Sequence, residues 1–238
     1  FAYPGNTEEP VIENVSFTVK PGETAAFIGS TGSGKSSLIQ LIPRFYDVTK
    51  GRILVDGVDV REYKLSALRQ KIGYIPQKAL LFTGTISDNM RFGKWNANKK
   101  EVDEASDISQ SKDFILKKPN QFDEFLSEGG SNMSGGQKQR LSIARAIIKK
   151  PDIYIFDDSF SALDYQTDAK LRARLKLETK QAAVLIVAQR VGTIMHADNI
   201  IVLNKGVVVA QGTHEELLKN SDVYYDIASS QLSKEELA

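Results

Sequence analysis

Short apolar runs, separated by polar and glycine-containing segments, recur along the chain and predict β-strands. Residues 11–19 (VIENVSFTV) roughly alternate apolar and polar positions, which is typical of a strand with one buried face. The remaining runs are mostly apolar, as expected for strands that are buried on both faces of a parallel sheet. They cover residues 23–29, 152–156, 182–188, 199–203 and 206–212.

Helical spacing and turn residues fill the intervals between these runs. Residues 36–45 (SSLIQLIPRF) place apolar side chains at the spacing of one helix face. Residues 51–60 predict a β-hairpin with Asp56-Gly57 as its turn, and a helical tail is expected from His214 onward. Short strands that alternate with helices indicate an α/β fold with a mostly parallel sheet.

The middle of the chain has a different pattern. Residues 79–125 are polar and rich in Lys and Asp, and they contain the amphipathic segments 102–110 and 111–118. This pattern predicts a helical subdomain inserted between two parts of the sheet.

Composition narrows the class of protein. The chain has 238 residues with 41% apolar and 26% charged residues, the profile of a globular domain with one sizeable core. A net charge of +1 does not favour nucleic acid as a partner, and the lack of cysteine excludes disulfides and thiolate metal sites. The longest apolar stretch, 182–188, is far shorter than the roughly 20 residues that cross a bilayer. Because the chain begins at Phe1, we expect it to be part of a longer protein.

Residues 29–36 (GSTGSGKS) match the phosphate-loop pattern G-x-x-x-x-G-K-[ST] between a predicted strand and a predicted helix. Glycines let successive backbone N–H groups point at phosphate oxygens, and the following helix adds the positive end of its dipole. Lys35 can then reach the β- and γ-phosphates, and the Ser36 hydroxyl can bind Mg²⁺. A flexible turn with a surface lysine is the alternative, but it does not account for the flanking strand and helix. The predicted nucleotide-binding residues are Gly29, Ser30, Thr31, Gly32, Ser33, Gly34, Lys35, Ser36 and Ser37.

Two adjacent aspartates follow the apolar run at 152–156. Phosphate-loop proteins hold Mg²⁺ with a carboxylate at the end of a neighbouring strand, so Asp157 is predicted to bind the metal together with Ser36. A loop that caps the next helix is the alternative, and it fits poorly because a second aspartate follows. Asp158 therefore needs a separate role, which this segment alone does not indicate.

Residues 133–148 (MSGGQKQRLSIARAII) combine a good helix N-cap, Ser134, with two glycines and an apolar stripe. Alone they would be an ordinary helix start that can bind an anion. Next to a phosphate loop and a metal aspartate, they closely resemble the signature motif of ABC ATPases. The resemblance implies a head-to-tail dimer in which the signature of one subunit closes over the γ-phosphate held by the other. The signature residues are Ser134, Gly135, Gly136 and Gln137.

Further family landmarks appear in order along almost the whole chain. Tyr3 matches the aromatic residue that stacks on adenine, and Gln77 matches the glutamine that contacts Mg²⁺ and water. Asp164, in SALD (161–164), matches the acid of a loop that crosses the dimer interface. Individually, Tyr3 could be a strand-end aromatic, Gln77 a turn residue and Asp164 a helix cap. Their joint order and spacing favour the family.

The resemblance implies a specific architecture and two cofactors. We expect a P-loop, RecA-like core with a mostly parallel sheet, an N-terminal antiparallel β subdomain and an inserted helical subdomain. The core would comprise residues 1–77 and 149–238, and the helical subdomain, residues 78–148, would carry the signature. ATP and Mg²⁺ are the implied cofactors.

The subclass resembles the ABC exporters. Residues 68–93 look like the segment that binds a coupling helix of the membrane domain. Glu128 matches the acid of a second contact loop, but the residues after Glu128 match that loop less closely. ABC-family ATPases of DNA repair and chromosome structure carry long coiled-coil insertions, which this chain lacks. We therefore expect transmembrane partners that bind through coupling helices near Gln77–Phe92 and Glu128, a place at the cytoplasmic face of the cell membrane, and no nucleic acid.

Two positions depart from the family pattern, and both concern hydrolysis. Asp158 stands where the family has a glutamate, the general base that orients the attacking water. Gln189 stands where the family has a histidine that contacts the γ-phosphate, and neither His196 nor His214 lies close enough in sequence to replace it. A misplacement of about 1 Å can cost roughly 100-fold in rate, and glutamine can donate a hydrogen bond but cannot carry charge.

Such a pair of departures resembles the degenerate half of a heterodimeric ABC exporter. The leading prediction is a slow site built with Asp158, Gln189 and Gln77, and an intact signature that serves the competent site of a non-identical subunit. One alternative is an ATP-dependent dimerisation clamp without significant turnover. Another is an active homodimeric exporter domain in which Asp158 is a tolerated substitution.

Overall fold

The computed structural model describes residues 1–5, 9–233, 235 and 237. Strands and helices alternate through most of the described chain. The strands are β1 (Thr24–Ile28), β2 (Leu54–Val55), β3 (Val58–Asp59), β4 (Ile72–Ile75), β5 (Gly84–Thr85), β6 (Phe125–Leu126), β7 (Ile153–Asp157), β8 (Ala183–Val187), β9 (Asn199–Asn204) and β10 (Val207–Gly212).

The helices include several with polar N-cap residues that accept a backbone N–H bond, among them Thr85, Asn98, Ser134, Asp164 and Thr213. The helices are α1 (Lys35–Gln40), α2 (Leu65–Gln70), α3 (Ile86–Arg91), α4 (Lys99–Ile108), α5 (Lys112–Leu116), α6 (Gly135–Ile147), α7 (Tyr165–Glu178), α8 (Val191–Ile194), α9 (His214–Asn220) and α10 (Asp222–Ser229). Short 3₁₀ turns cover Gln121–Asp123 and Glu128–Gly130.

A six-stranded sheet in the order β10-β9-β1-β8-β7-β4 forms the centre of the molecule. Every neighbouring pair in it is parallel except β9 and β10, which are antiparallel. The predicted α/β class with a mostly parallel sheet is therefore confirmed. The apolar runs predicted at 23–29, 152–156, 182–188, 199–203 and 206–212 are β1, β7, β8, β9 and β10.

The sheet is covered on both faces because successive residues of each strand point to opposite sides. In β1, Phe27 packs into one apolar cluster with α1 and α2, while Ala26 and Ile28 pack into another. This second cluster is continuous from the sheet through α6 to α3, α4 and α5. Burial on both faces explains why β1, β7, β8 and β9 are mostly apolar. The edge strand β10 instead alternates exposed and half-buried residues.

The middle segment is helical as predicted, since 102–110 and 111–118 fall largely within α4 and α5. A two-stranded antiparallel ribbon of β5 and β6 accompanies these helices. Helix α6 contacts α3 and α4 and also β4 of the central sheet. The subdomain boundaries at 78 and 148 remain a prediction.

The hairpin prediction is also confirmed. Strands β2 and β3 pair across Asp56-Gly57, which have φ values of 51° and 78°. Two consecutive positive φ values are the geometry of a type I′ turn, for which Asp-Gly is a favoured pair.

Two predicted elements differ from the structure. Residues 11–19 roughly alternate in burial, but they are not a strand. Residues 11–13 donate to the carbonyl oxygens of Phe1 and Gly206, Asn14 has a φ of 51°, and no described segment forms a backbone hydrogen-bond ladder with residues 15–19. The helix predicted at 36–45 ends at Gln40. Pro43 disfavours helix continuation, and Arg44 has a φ of 53°. Strand β4 and helices α2, α7 and α8 were not predicted, and in the described residues no helix is long and apolar enough to span a membrane.

Candidate active site

The phosphate loop lies between β1 and α1, at the carboxyl end of the parallel strands. At two of its positions the surrounding chain leaves no room for any residue larger than glycine. A Cβ at Gly29 would lie 2.0 Å from the Leu203 carbonyl oxygen, and a Cβ at Gly34 would lie 2.6 Å from Ile12 Cδ1. Gly34 also has a φ of 95°, which favours glycine. The loop conformation is thus imposed by the neighbouring chain as well as by its own sequence.

Lys35 folds back into this loop. Its Nζ donates hydrogen bonds to the carbonyl oxygens of Gly29, at 2.9 Å, and Ser30, at 2.8 Å, and to Ser33 Oγ, at 3.2 Å. Burial lowers the pKa of Lys35, and the nearby carboxylates of Asp158 and Asp157 oppose that shift. The ammonium group is therefore held inside the loop, on the same side as the two aspartates.

Ser36 and Asp157 meet although 121 positions separate them in sequence. Ser36 Oγ donates to Asp157 Oδ1 at 2.7 Å, and Tyr74 Oη donates to Asp157 Oδ2 at 2.8 Å. Burial, followed by the charge of Asp157, raises the pKa of Tyr74, so the phenol keeps its proton and remains a donor. Tyr74 was missed from the sequence because a tyrosine in an apolar run reads as a packing residue.

The hydroxyl and carboxylate oxygens at this point fit Mg²⁺, which takes few protein ligands and completes its shell with phosphate and water. The described residues form no cluster of three or more His, Cys, Asp or Glu side chains that could hold a metal without such help. The donor set therefore suits a metal that arrives with a phosphorylated ligand.

Two of the predicted catalytic side chains hydrogen-bond the same oxygen atom of the third. Asp158 Oδ2 accepts a hydrogen bond from Gln77 Nε2, at 3.0 Å, and another from Gln189 Nε2, at 2.8 Å. Gln77 follows β4, Asp158 follows β7 and Gln189 follows β8, so neighbouring parallel strands bring them together. Both glutamine amides are directed at the carboxylate.

Asp158 occupies a constrained position. Its φ is 47°, in the left-handed region that few residues other than glycine adopt. The Asp158 N–H donates to the Val187 carbonyl at 2.9 Å, and Ser161 Oγ donates to the Asp158 carbonyl at 2.8 Å. Burial is the main cause that raises the pKa of the Asp158 carboxyl, and the hydrogen bonds from Gln77 and Gln189 oppose it. The carboxylate is fixed in place by its surroundings.

The predicted signature residues lie at the start of α6. Ser134 N donates to Gln137 Oε1, and Gln137 N donates to Ser134 Oγ, which is a complete capping box. Ser134 and Gly135 are exposed, and a Cβ at Gly136 would lie 3.1 Å from the Ala162 carbonyl oxygen. Among the hydrogen bonds of the described residues, none joins these four residues to the phosphate loop.

Two further predicted residues have local partners. The Asp164 carboxylate caps α7 by accepting from Thr167 N at 2.9 Å, and this contact lowers its pKa. The Tyr3 hydroxyl hydrogen-bonds Ser37 Oγ at 2.8 Å, at the start of α1. The Tyr3 ring meets Tyr46 edge-on, with centroids 5.0 Å apart. Tyr3 thus lies beside the phosphate loop, and its stacking on adenine stays a prediction.

Comparison with known proteins adds to this geometry. Residues 12–161 match the family model described as ABC transporter. The chain is 48% identical over 235 residues to an uncharacterized ABC transporter ATP-binding protein of Bacillus subtilis, YfiB, and 46% identical over 234 residues to another of Mycobacterium tuberculosis. These alignments cover 99% and 97% of this chain but 40% of each relative, so the chain spans about two fifths of their length.

A solved structure is also similar. A bacterial Atm1-family ABC exporter with ATP bound superposes with a TM-score of 0.93 at 34% identity, covering 98% of this chain and 41% of the exporter chain. The matches confirm the predicted resemblance to exporter-type ATP-binding domains, the predicted P-loop fold and the ATPase class. They leave the predicted site residues as predictions.

Proposed function

The chain belongs to the ABC transporter family, and we propose that it is the ATP-binding domain of an exporter subunit whose own site hydrolyses ATP slowly. The observation that carries the proposal is the convergence of Gln77 and Gln189 on Asp158. The shorter acid stands at the position of the expected general base, and an uncharged amide stands at the position of the expected histidine.

ATP binding is supported by the loop that holds Lys35 and by the paired oxygens of Ser36 and Asp157. In the proposed complex, the loop N–H groups and Lys35 hold the β- and γ-phosphates. Ser36, Asp157 and the Gln77 side chain would hold Mg²⁺, which supplies charge neutralisation at the phosphates. Tyr3 would stack on the adenine ring.

Slow hydrolysis follows from the chemistry of the three converging groups. A general base must lie within hydrogen-bond reach of the water it activates, and losing such a group costs roughly 10²–10⁴-fold in rate. The Asp158 carboxylate sits one methylene nearer to its backbone than a glutamate carboxylate would, so it reaches less far toward an attacking water. Gln189 can donate to a γ-phosphate oxygen but cannot carry a positive charge.

The proposed partners are a second subunit and transmembrane domains, reached from the cytoplasmic face of a cell membrane. The segment predicted to contact the membrane domain carries exposed apolar side chains: Leu80 is 62% exposed, Phe92 61% and Phe82 41%. The Phe82 and Phe92 rings lie against each other, with centroids 4.4 Å apart, and exposed apolar surface of this kind is typical of an interaction site. We propose a non-identical second subunit, whose competent site is completed by Ser134–Gln137 of this chain.

The test is steady-state and single-turnover phosphate release by the full-length transporter. We expect Asp158→Glu to raise turnover at this chain's site and Asp158→Glu with Gln189→His to raise it further. A wild-type site that already turns over as fast as the double variant would support an active homodimer and overturn the slow-site proposal. ATP-dependent dimerisation with no turnover in any of these variants would instead identify a binding clamp.

A further inference from the structure

The end of the chain contacts the segment that carries Gln189. After α10 the chain turns, and the Gln231 side chain forms two hydrogen bonds with backbone groups two residues apart. Its Nε2 donates to the Gln189 carbonyl at 3.0 Å, and its Oε1 accepts from Val191 N at 2.8 Å. A planar amide that both donates and accepts in this way fixes the position and the orientation of the backbone it binds.

The contact supplies what the local sequence lacks. Val191 is the first residue of α8, and the N-cap residue Arg190 makes no side-chain capping bond. The first N–H groups of a helix have no intrahelical acceptor, so an outside group has to satisfy them. Gln231 provides that acceptor for Val191, which is fully buried.

Gln231 is itself placed by a packed element. Tyr224 and Ala228 of α10 are fully buried, and the Gln231 N–H donates to the Ala228 carbonyl at 3.0 Å. Leu232 packs against the same apolar cluster. The amide is therefore anchored to the core, although its own side chain is exposed.

The contacts form a continuous path from the tail to the candidate active site. Gln231 holds the Gln189 carbonyl, and the Gln189 side chain donates to Asp158 Oδ2 at 2.8 Å. We propose that Gln231 is a positioning residue for hydrolysis: it fixes the backbone from which Gln189 reaches Asp158 and the γ-phosphate. This inference rests on the proposed role of Gln189 and not on the slow rate of the site.

Loss of this contact should leave ATP binding intact. In the described part of the chain, Gln231 hydrogen-bonds Gln189, Val191 and Ala228, and it makes no hydrogen bond to the phosphate loop or to the residues of the metal site. A displaced Gln189 should therefore lower the rate of the chemical step and not the affinity for MgATP. Since a misplacement of about 1 Å can cost roughly 100-fold, we expect a loss of about tenfold for partial freeing of the segment.

The experiment compares Gln231→Leu and Gln231→Asn with the wild type in the full-length transporter. Asn keeps the amide but is one methylene too short to hold both backbone groups. Ser230→Ala is the matched control, because among the residues that the structure describes Ser230 Oγ donates only to the Ile227 carbonyl. Amide hydrogen exchange at Val191 should accelerate in both Gln231 variants and not in the control.

The functional measurement is single-turnover hydrolysis of γ-labelled ATP, followed for hours so that a slow phase is resolved. We expect both Gln231 variants to slow this chain's phase about tenfold with unchanged MgATP affinity. In a Gln189→Ala background the Gln231 effect should vanish, which a purely structural cap would not produce.

Three results would overturn the inference: unchanged exchange at Val191, faster exchange with an unchanged rate, or a Gln231 effect of the same size in the Gln189→Ala background. A single fast phase in the wild type would refute the slow-site proposal, but the ratio between variant and wild type would still decide the role of Gln231.

Discussion

Helices α1 and α6 both begin at glycine-containing loops, and the two loops are built in opposite ways. The phosphate loop before α1 is enclosed by its own chain: Leu203 and Ile12 leave no room for a Cβ at Gly29 or Gly34, and Lys35 is 8% exposed. At the start of α6, a Cβ at Gly135 would meet no atom within 4 Å.

The difference indicates which site is complete within one chain. In the phosphate loop, Lys35 already donates to loop carbonyl oxygens, and the Ser36 hydroxyl already donates to the Asp157 carboxylate. Ser134 and Gln137 only cap each other, and the exposed glycine beside them has no partner group in the described structure. A glycine that is not needed for internal packing is consistent with close approach by another molecule. This contrast supports the proposal that the phosphate loop is a site within one chain and that the start of α6 is half of a site shared with another subunit.

The largest expected effect comes from blocking the open half-site. Ser134→Arg places a bulky cation at the exposed helix start, so in the assembled transporter we expect ATP turnover to fall by about 100-fold or more, as for misplaced reacting groups. Asp158→Ala should leave much of the turnover, because in the proposed heterodimer the competent site is the one that the partner holds. Turnover of the purified complex with each change separately is the measurement.

Ser134→Ala is the control for this comparison. It removes the cap hydroxyl, which costs about 1 kcal/mol of stability, without adding bulk or charge. Its activity should lie well above that of Ser134→Arg. If Asp158→Ala proves as damaging as Ser134→Arg, this chain's own site is competent and the two loops are equally important for turnover.

Removing the buried ammonium tests the closed loop. Lys35→Ala should weaken MgATP binding by about 10- to 150-fold, the equivalent of about 1.5–3 kcal/mol for hydrogen bonds to a charged group. Titration with MgATP measures the affinity. Lys71→Ala is the matched control, since Lys71 pairs with Asp56 and Asp152 at the opposite end of the strands. Equal affinity in the Lys35 variant and the control would contradict the assignment of the loop.

A smaller loss is expected at the edge of the same loop. Tyr3→Ala removes a ring whose hydroxyl contacts Ser37, and base–aromatic stacking is worth about 1–3 kcal/mol in nucleic-acid complexes. MgATP affinity should fall by about tenfold, whereas Tyr3→Phe, which keeps the ring, should bind nearly as well as the wild type. A Tyr3→Ala variant with wild-type affinity would place adenine stacking elsewhere.

The smallest expected effect is on the stability of the fold, and it involves neither of the two loops. His214 Nδ1 hydrogen-bonds the Tyr224 hydroxyl at 2.7 Å, and burial, aided by the charge of His196, lowers the pKa of His214, while Glu215 opposes the shift. The unfolded chain then binds a proton more readily than the folded one, so stability should fall as the pH drops below about 6.5, at most about tenfold in the folding constant per pH unit.

Thermal unfolding between pH 7.5 and pH 5.5 measures this effect. His214→Gln keeps a polar group beside Tyr224 but cannot be protonated, so its loss of stability over this range should be smaller than that of the wild type. An identical pH dependence in the two proteins would show that other groups dominate. MgATP affinity at neutral pH should be the same in both, which separates fold stability from either loop.

Prediction from sequence worked where the physical cause is local. Adjacent residues were enough to recognise three kinds of element: the apolar runs at β1, β7, β8 and β9, the Asp56-Gly57 turn, and the Gly-rich motif before Lys35. It failed where a partner elsewhere decides the outcome. Residues 11–19 alternate like a strand but lack a ladder in the described structure. The error in the length of α1 had a local cause, because Pro43 lies within the predicted segment and disfavours helix continuation.

The sequence by itself determined which residues and motifs make up the candidate active site: the phosphate loop, the two aspartates, Gln77, Gln189 and the capped start of α6. It could do so because each part is a short pattern with its own local chemistry. Only the tertiary structure decided how the parts engage: that Tyr74 holds Asp157, that both glutamines share one oxygen of Asp158, and that Gln231 supports Gln189. Parallel strands bring together residues far apart in the chain, and that order is set by packing rather than by any local pattern.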